Sequence, residues 1–411
     1  MTMRHFTGRA VVLGALVASA FAANQAVAQQ QEPRVFGETA ARGNGIGLHT
    51  PNLDVALYGL LDVTLSTANN IDAVGHRRTN FQKPWFSGPR WGVIGSRALP
   101  DGAPNLIFKL EGEYLLDTGE EDTPGVLFNR DAWVGFQGET MGKLTFGRQN
   151  TLARDFSHIY GDPYTASGQV TLDEGGWTNT NNFKQLINYA ASATGTRYDR
   201  GVVWKKQFGA FVAGAGYQFA SDPGTPGTPT SPGRGGKNST QSAAIAWNGG
   251  VFNASGFVNH ANIQGFSHKS WSVGGNAGLG SMTRVYAGYF HYDAEQAAIG
   301  SRTDKAWTVS LRFAPPGKLD YEAGFVNIKA DNGGLSSKGF ILDGYKDTSG
   351  VTTGVSGKKT TLYGSIFYHF DRSTEVYLAA DHMSLKDGWK DPRSFGLMSQ
   401  NEIAVGIRTR F

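Results

Sequence analysis

The chain has no cysteine. That excludes disulfides, thiolate nucleophiles and thiolate metal ligands. It also lacks runs of like charge: 38 Lys and Arg against 34 Asp and Glu leave a formal charge of +4. No basic arm for nucleic acid is present, so nucleic acid is not an expected partner. The nine histidines show neither HExxH nor paired ligand spacing. There is no GxSxG elbow. "GRGGKNST" (233–240) places Asn238 after the lysine, where a phosphate loop needs Ser or Thr, and "GNGIG" (43–47) lacks dinucleotide spacing. No catalytic residue, cofactor or metal is therefore expected. Beyond residue 28 no apolar run approaches the roughly 18 residues of a spanning helix. Either the protein is soluble, or it crosses a membrane as strands closed into a barrel, the one non-helical way to satisfy every backbone group in lipid.

What is present begins with a secretory pattern. Arg4, His5 and Arg9 precede the apolar "AVVLGALVASAFAA" (10–23), and "AVA" (26–28) offers a small-residue cleavage site. Residues 1–28 read as a signal peptide. Removing Arg4 and Arg9 takes the charge from +4 to +2. Residues 29–52 show little periodicity and read as a flexible extension. From residue 53 to 411 the texture is different. In "LDVALYGLLDVTLS" (53–66), Val55, Leu57, Gly59, Leu61, Val63 and Leu65 share one parity, against Asp54, Tyr58, Asp62 and Thr64. "LIFKLEGEYLLDTG" (106–119) sets Leu106, Phe108 and Leu110 against Lys109, Glu111 and Glu113. Such alternation over about ten residues is the signature of a spanning strand.

The connections alternate too. Seven short ones, including "GETMG" (138–142), "QFG" (207–209) and "DRST" (371–374), carry the Gly, Asn and Asp that tight hairpins need. Between them lie eight segments read as longer loops, among them 220–240 and 330–357. Fifteen connections predict an all-β fold: a 16-stranded antiparallel transmembrane β-barrel with short periplasmic turns and long extracellular loops. Trp85, Trp91, Trp133, Trp177, Trp204, Trp271, Trp307, Phe367, Tyr368, Phe370 and Phe411 fall near strand ends and read as interfacial girdles.

"ALYGLLDVTL", "RWGVIGSRAL", "LEGEYLLDTG", "LFNRDAWVGFQG", "LTFGRQNT" and the terminal "VGIRTRF" occur in this order. By these segments, over roughly 53–411, the chain resembles the general, non-specific trimeric porins of Gram-negative bacteria, of the beta-proteobacterial type. The resemblance implies a homotrimer in the bacterial outer membrane, contacting its lipid and lipopolysaccharide. It implies passive diffusion of small hydrophilic solutes and ions, and a third loop, here about 150–196, folded inward as a constriction. That loop carries Asp155, Asp162, Asp173 and Glu174, the candidate acidic side. The candidate basic side is on the wall. Arg90 has the parity opposite Trp91 and Val93, and Lys109 points inward by pattern. Arg148 shares the parity of Leu144 and Phe146, which a bulge or a wall that does not face lipid would reconcile with the lumen. Arg130 stands in "FNRDAW", and Arg197 and Arg200 are alternatives beside "YD". In the family a terminal phenylalanine, here Phe411, is part of the signal read by the barrel-assembly machinery.

Two other readings remain. One is a channel selective for organic anions or sugars. The other is a barrel enzyme or surface adhesin. An enzyme requires a nucleophile–base–acid set, and Asp381, His382 and Ser384, though close in sequence, are split between faces by alternation.

Overall fold

A computed structural model describes residues 46–82, 84–161, 168–175, 187–220 and 237–411. The elements in chain order are β1 (Ile46–His49), β2 (Leu53–Ala68), β3 (Arg78–Gln82), β4 (Arg90–Arg97), β5 (Asn105–Glu113), β6 (Asp131–Gly138), β7 (Gly142–Asn150) and α1 (Leu152–Gly161). They continue with β8 (Arg197–Phe208), β9 (Phe211–Gln218), β10 (Ser239–Asn248), β11 (Phe252–Ile263), β12 (Phe266–Leu279) and β13 (Thr283–Ala294). The last are β14 (Arg302–Phe313), β15 (Leu319–Gly334), β16 (Gly354–His369), β17 (Thr374–Asp387) and β18 (Ser399–Arg410). All strands belong to one sheet, and β18 pairs antiparallel with β2 from Glu402↔Ala68 to Arg410↔Leu60. That pairing closes the sheet. Sixteen strands, β2 and β4 to β18, form the wall, as expected.

The alternation sorts side chains in the sense a membrane requires. On β2, Ala56, Tyr58, Asp62, Thr64 and Ser66 are buried inward, while Leu57 and Leu65 are each 41% exposed. On β18, Ile403, Val405 and Ile407 are exposed and Arg408 is fully buried. Apolar groups face out and charges face in, the reverse of a soluble core.

The two short strands complete β2. On one edge, β4 leaves at Leu60↔Arg90 and β3 takes over from Thr64 to Ala68. The chain joining them, near residues 84–89, turns into the lumen. On the other edge, the Gly59 and Phe411 amides each donate to the other's carbonyl, and β1 continues the line, Ile46↔Leu57 to His49↔Asp54. Residues 46–49, read above as part of a flexible extension, are therefore a paired strand. The Phe411 ring lies on Gly59, where an added Cβ would come within 2.3 Å of its Cζ.

Two further expectations change. The connection between β11 and β12 is no long loop but Gln264–Gly265, with φ of 54° and 99°. This is the left-handed pair of a two-residue hairpin turn. Not every predicted girdle aromatic faces lipid. Trp133 and Phe367 have inward parity, and Trp85 sits on the inturned chain; all three are buried inside. Trp271, Trp307, Tyr368, Phe370 and Phe411 are outward and exposed. Trp177, like residues 1–45, lies outside the described residues.

Gly59→Leu should push the Phe411 ring off the seam. The expected result is a lower yield of folded barrel on heat-modifiability gels, with normal conductance in the barrels that assemble. Unchanged yield would contradict the role of this contact.

Candidate functional site: a constricted lumen

Three segments enter the barrel, and each is held by inward polar groups. The first is 84–89. The Trp85 amide donates to Thr64 Oγ1 (2.8 Å) and the Ser87 amide to Asp62 Oδ2 (2.9 Å). Phe86 packs on Phe367 and Tyr377, with ring centroids 4.9 and 4.8 Å away, and the Arg408 guanidinium lies over its ring at 5.2 Å. Arg408 is fixed by Glu375 (2.6 Å).

The second is the loop between β7 and β8, residues 151–196, whose length and position match the predicted constriction. Its helix α1 is buried throughout against β9 to β13. Tyr160 lies flat on Gly274 and Gly288, where a Cβ would come within 2.4 and 2.3 Å of its ring, and it bonds Ser272 Oγ at 2.8 Å. Asn276 Nδ2 donates to the Ile159 and Gly168 carbonyls (2.8 and 2.7 Å). Glycines on the wall and an amide aimed at unpaired helix carbonyls make a seat for the helix.

The third is the loop 335–353, for which sequence reasoning had no assignment. Tyr345 is buried between strands. Its hydroxyl meets Asn259 Nδ2 (2.8 Å) and Ser270 Oγ (2.7 Å), and its amide donates to the Tyr292 hydroxyl (2.8 Å). Arg302 anchors the same loop through the Leu342 carbonyl (2.7 Å) and is itself paired with Asp304.

The charged candidates assemble differently from a simple acid-against-base pair of walls. Carboxylates of the constriction loop dock onto lysines of the wall. Asp155 accepts from Lys205 Nζ (2.9 Å), with both side chains 3% exposed, and also from Asn150 and the Gly175 amide. Glu174 accepts from Lys109 Nζ and Trp133 Nε1, each at 2.8 Å. Asp173 lies 3.6 Å from Lys143, which covers the Trp133 ring at 4.9 Å. Lys143 and Lys205 were not among the candidates, although their inward parity on β7 and β8 is visible beside Thr145 and Val203. Asp162 lies outside the described residues.

The arginines form a separate group. Arg130 pairs with Glu111 and Glu113. Arg90 reaches Glu111 at 3.8 Å. Arg197 reaches Asp131 at 3.5 Å, and Lys109 also holds Asp131 at 2.6 Å. Arg154, on α1, joins them and was missed because a loop has no parity to read. Burial, then the neighbouring Arg197, Arg130 and Arg90, push its pKa down to about 9, so it remains charged at neutral pH. It is 6% exposed, its Nε has no hydrogen-bond partner, and among the described residues it forms no ion pair. Among the described residues, Arg90, Lys109, Arg130, Arg154 and Arg197 are thus five cations around four carboxylates, Glu111, Glu113, Asp131 and Glu174, while Asp155, paired with Lys205, also acts on Arg154.

Arg148 and Arg200 lie apart from this group. Arg148 keeps the parity of Leu144 and Phe146, pairs with Asp199 and donates to the Asn129 carbonyl (2.7 Å). A bulge does occur beside it, but it is β8 that carries the extra residue, at Asp199 and Arg200. Arg200 is exposed, with φ of 52°. The bulge therefore supplies Arg148 with an outer partner and does not turn it inward.

Lys205→Met would leave the Asp155 carboxylate buried without its cation, a change that costs about 3–5 kcal/mol where a buried pair is broken. The expected result is a loosened α1, seen as larger and noisier single-channel conductance. Conductance identical to the parent would contradict this anchoring.

Comparison with known proteins agrees with the geometry. Residues 11–388 match the profile of the Gram-negative porins. An outer membrane porin protein of Bordetella pertussis is 30% identical over 185 residues, 41% of this chain and 43% of that relative, so the alignment spans less than half of either. Among solved structures, the anion-selective porin from Comamonas acidovorans superposes with a TM-score of 0.66 at 19% identity, covering 87% of this chain and all of that one. OmpT, an outer membrane protein of Vibrio cholerae, in a loop-deletion form, gives 0.60 at 17% identity, covering 88% of this chain and all of the other. A closed sixteen-stranded wall, an inturned third loop and a profile match over most of the chain lead to one assignment: the chain belongs to the Gram-negative porin family.

Proposed function

We propose that this porin is a passive diffusion channel of the outer membrane for small hydrophilic solutes and ions, with a preference for anions. The observation that carries the preference is Arg154, a buried guanidinium that forms no ion pair among the described residues, beside three further arginines. Two unit charges about 8 Å apart interact by about 0.5 kcal/mol in water and about 2 at an effective dielectric near 20. A wet constriction lies between. One unbalanced cation therefore biases passing ions several-fold without trapping them, which is what conduction requires. The name of the Comamonas protein, an anion-selective porin of the same fold, supports the reading. A homotrimer is part of it; a trimer form of the Vibrio cholerae protein is known.

Selective passage of organic anions is the nearest alternative and draws on the same arginines. A sugar path has less support: Tyr58 is bonded to Glu111 (2.7 Å) and Tyr377 to Asp62 (2.8 Å), so neither is a bare stacking surface. Asp381 is inward while His382 is exposed and bonded to Asn401, so these residues do not form a catalytic set with Ser384.

Arg154→Glu should lower the chloride-to-potassium permeability ratio by about tenfold, the effect of ~1.4 kcal/mol, measured as reversal potential in planar bilayers under a salt gradient. An unchanged ratio would remove Arg154 from the selectivity mechanism.

A further inference from the structure

Lysines of β5, β7 and β8 hold one side of the constriction loop. Its return limb is held elsewhere, by neutral side chains. This limb makes a single turn at Ile187–Ala190 before it joins β8. The wall takes two of its carbonyls: Ser270 Oγ donates to Tyr189 (2.6 Å) and Asn259 Nδ2 donates to Ala191 (2.7 Å). Asn259 of β11 and Ser270 of β12 are register partners. Both also meet the hydroxyl of Tyr345, from loop 335–353, at 2.8 and 2.7 Å. The same two wall residues thus seat two loops at once.

Counting hydrogens gives these bonds a direction. Ser270 has one hydroxyl hydrogen and spends it on the Tyr189 carbonyl, so it accepts from Tyr345. The Tyr345 oxygen accepts from Asn259, whose amide has then used both hydrogens. On its other side Asn259 Oδ1 accepts from Ser242 Oγ (2.7 Å). Ser242 therefore accepts from the Tyr198 hydroxyl, which accepts from the Leu152 amide (3.2 Å). The result is one relay from Leu152, at the start of α1, to Tyr189 on the return limb. Tyr345 is the one member that belongs neither to the wall nor to the constriction loop. Asn259, Ser270, Tyr345 and Tyr189 are buried, where an unpaired donor is costly.

Packing follows the same line. The Tyr292 ring of β13 meets both Tyr345 and Tyr189, with centroids 5.2 and 5.6 Å away, and its hydroxyl accepts from the Tyr345 amide. At Gly344 the two loops are so close that an added Cβ would stand 3.1 Å from the Asn188 carbonyl oxygen. Loop 335–353 is itself fixed beside this point: Arg302 holds the Leu342 carbonyl, and the Ile341 amide donates to the Lys390 carbonyl (3.0 Å).

We propose that Tyr345 is a positioning residue for the constriction. By completing the relay it holds the return limb of the constriction loop against β11 and β12, and so sets the size limit of the channel. The inference rests on the diffusion-channel reading above but not on the ion preference, since the side chains of the relay are neutral.

The test compares the full-length parent with Tyr345→Phe, Tyr345→Ala, Ser270→Ala and the double variant Tyr345→Phe with Ser270→Ala. Each is recorded in planar bilayers, and its permeability is measured by liposome swelling in neutral sugars of increasing size. Tyr345→Phe keeps the ring and unpairs one Asn259 hydrogen. It should raise the time spent at fluctuating or larger conductance levels about tenfold, as the unpairing of a buried donor implies. Tyr345→Ala loses the ring as well and should admit sugars that the parent excludes, with the sign of the reversal potential kept. Residues that act through one chain of bonds are not additive, so the double variant should match Ser270→Ala alone. If Tyr345→Ala does not fold, Tyr345→Phe and the double variant decide. Parent-like current fluctuations and size limit in the Tyr345 variants would overturn the proposal, as would additive effects of Tyr345→Phe and Ser270→Ala. A lower unfolding temperature with the parent's size limit and quiet current would also overturn it, because Tyr345 would then be a contact of the fold alone. A parent that does not conduct would overturn the channel reading itself, and this proposal with it.

Discussion

The structure depends on one constraint: in hydrocarbon every backbone N–H and C=O must find a partner within the protein. An open sheet cannot meet it, because its edge strands would leave a ladder of groups unpaired. The pairing of β18 with β2 removes that edge, and the mutual hydrogen bonds of Gly59 and Phe411 carry the pairing to the short-turn rim. Once the sheet is closed, strand alternation has one consistent meaning. Leu57, Leu65, Ile403 and Val405 meet lipid, while Asp62, Thr64, Lys109 and Arg408 meet the lumen.

Closure creates a second problem, an interior lined with polar groups that need partners. Part of it is solved between strands, as by Arg312 with Asp320 and by Arg408 with Glu375. The rest is solved by inserted loops. The segments 84–89, 151–161 and 335–353 each bring backbone and side-chain groups to a different part of the wall, and each is seated by aromatic packing as well. The loop carboxylates and wall lysines neutralise one another in docking the constriction loop. Beside these docking pairs stands the arginine group, in which Arg154 forms no ion pair among the described residues. In the proposed function, selectivity is a residue of docking: the acids are bound to the wall, and the field of the arginine group is left less than fully neutralised among the described residues.

Much of this was legible in the sequence, and what was not has physical causes. Strand parity is a period of two, so Arg90, Lys109, Tyr58 and Tyr377 could be placed inward by counting. Arg148 could be counted as well; the bulge at Asp199 and Arg200 is local geometry of the partner strand, and it gives Arg148 a partner without moving it. Position along the strand points Trp133 and Phe367 to the girdle, while their parity points to the lumen, and parity decides. The alternating rhythm of connections predicts a long loop at Gln264–Gly265, where the chain instead turns in two residues. Tyr345 and Trp85 sit on segments without periodicity, and Arg154 sits on a short helix whose own period does not say which part of the wall it meets. Only the wall they dock against, with Gly274, Gly288, Asn259 and Thr64, determines where they go, and those contacts are long-range.

The most direct test of the account is the reversal potential of the purified parent protein in planar bilayers under a potassium chloride gradient. A conducting channel whose potential has the sign of chloride preference is the predicted result. A barrel that does not conduct, or one whose potential has the sign of potassium preference, would contradict the central claim that the lumen is an open path governed by a surplus of arginine.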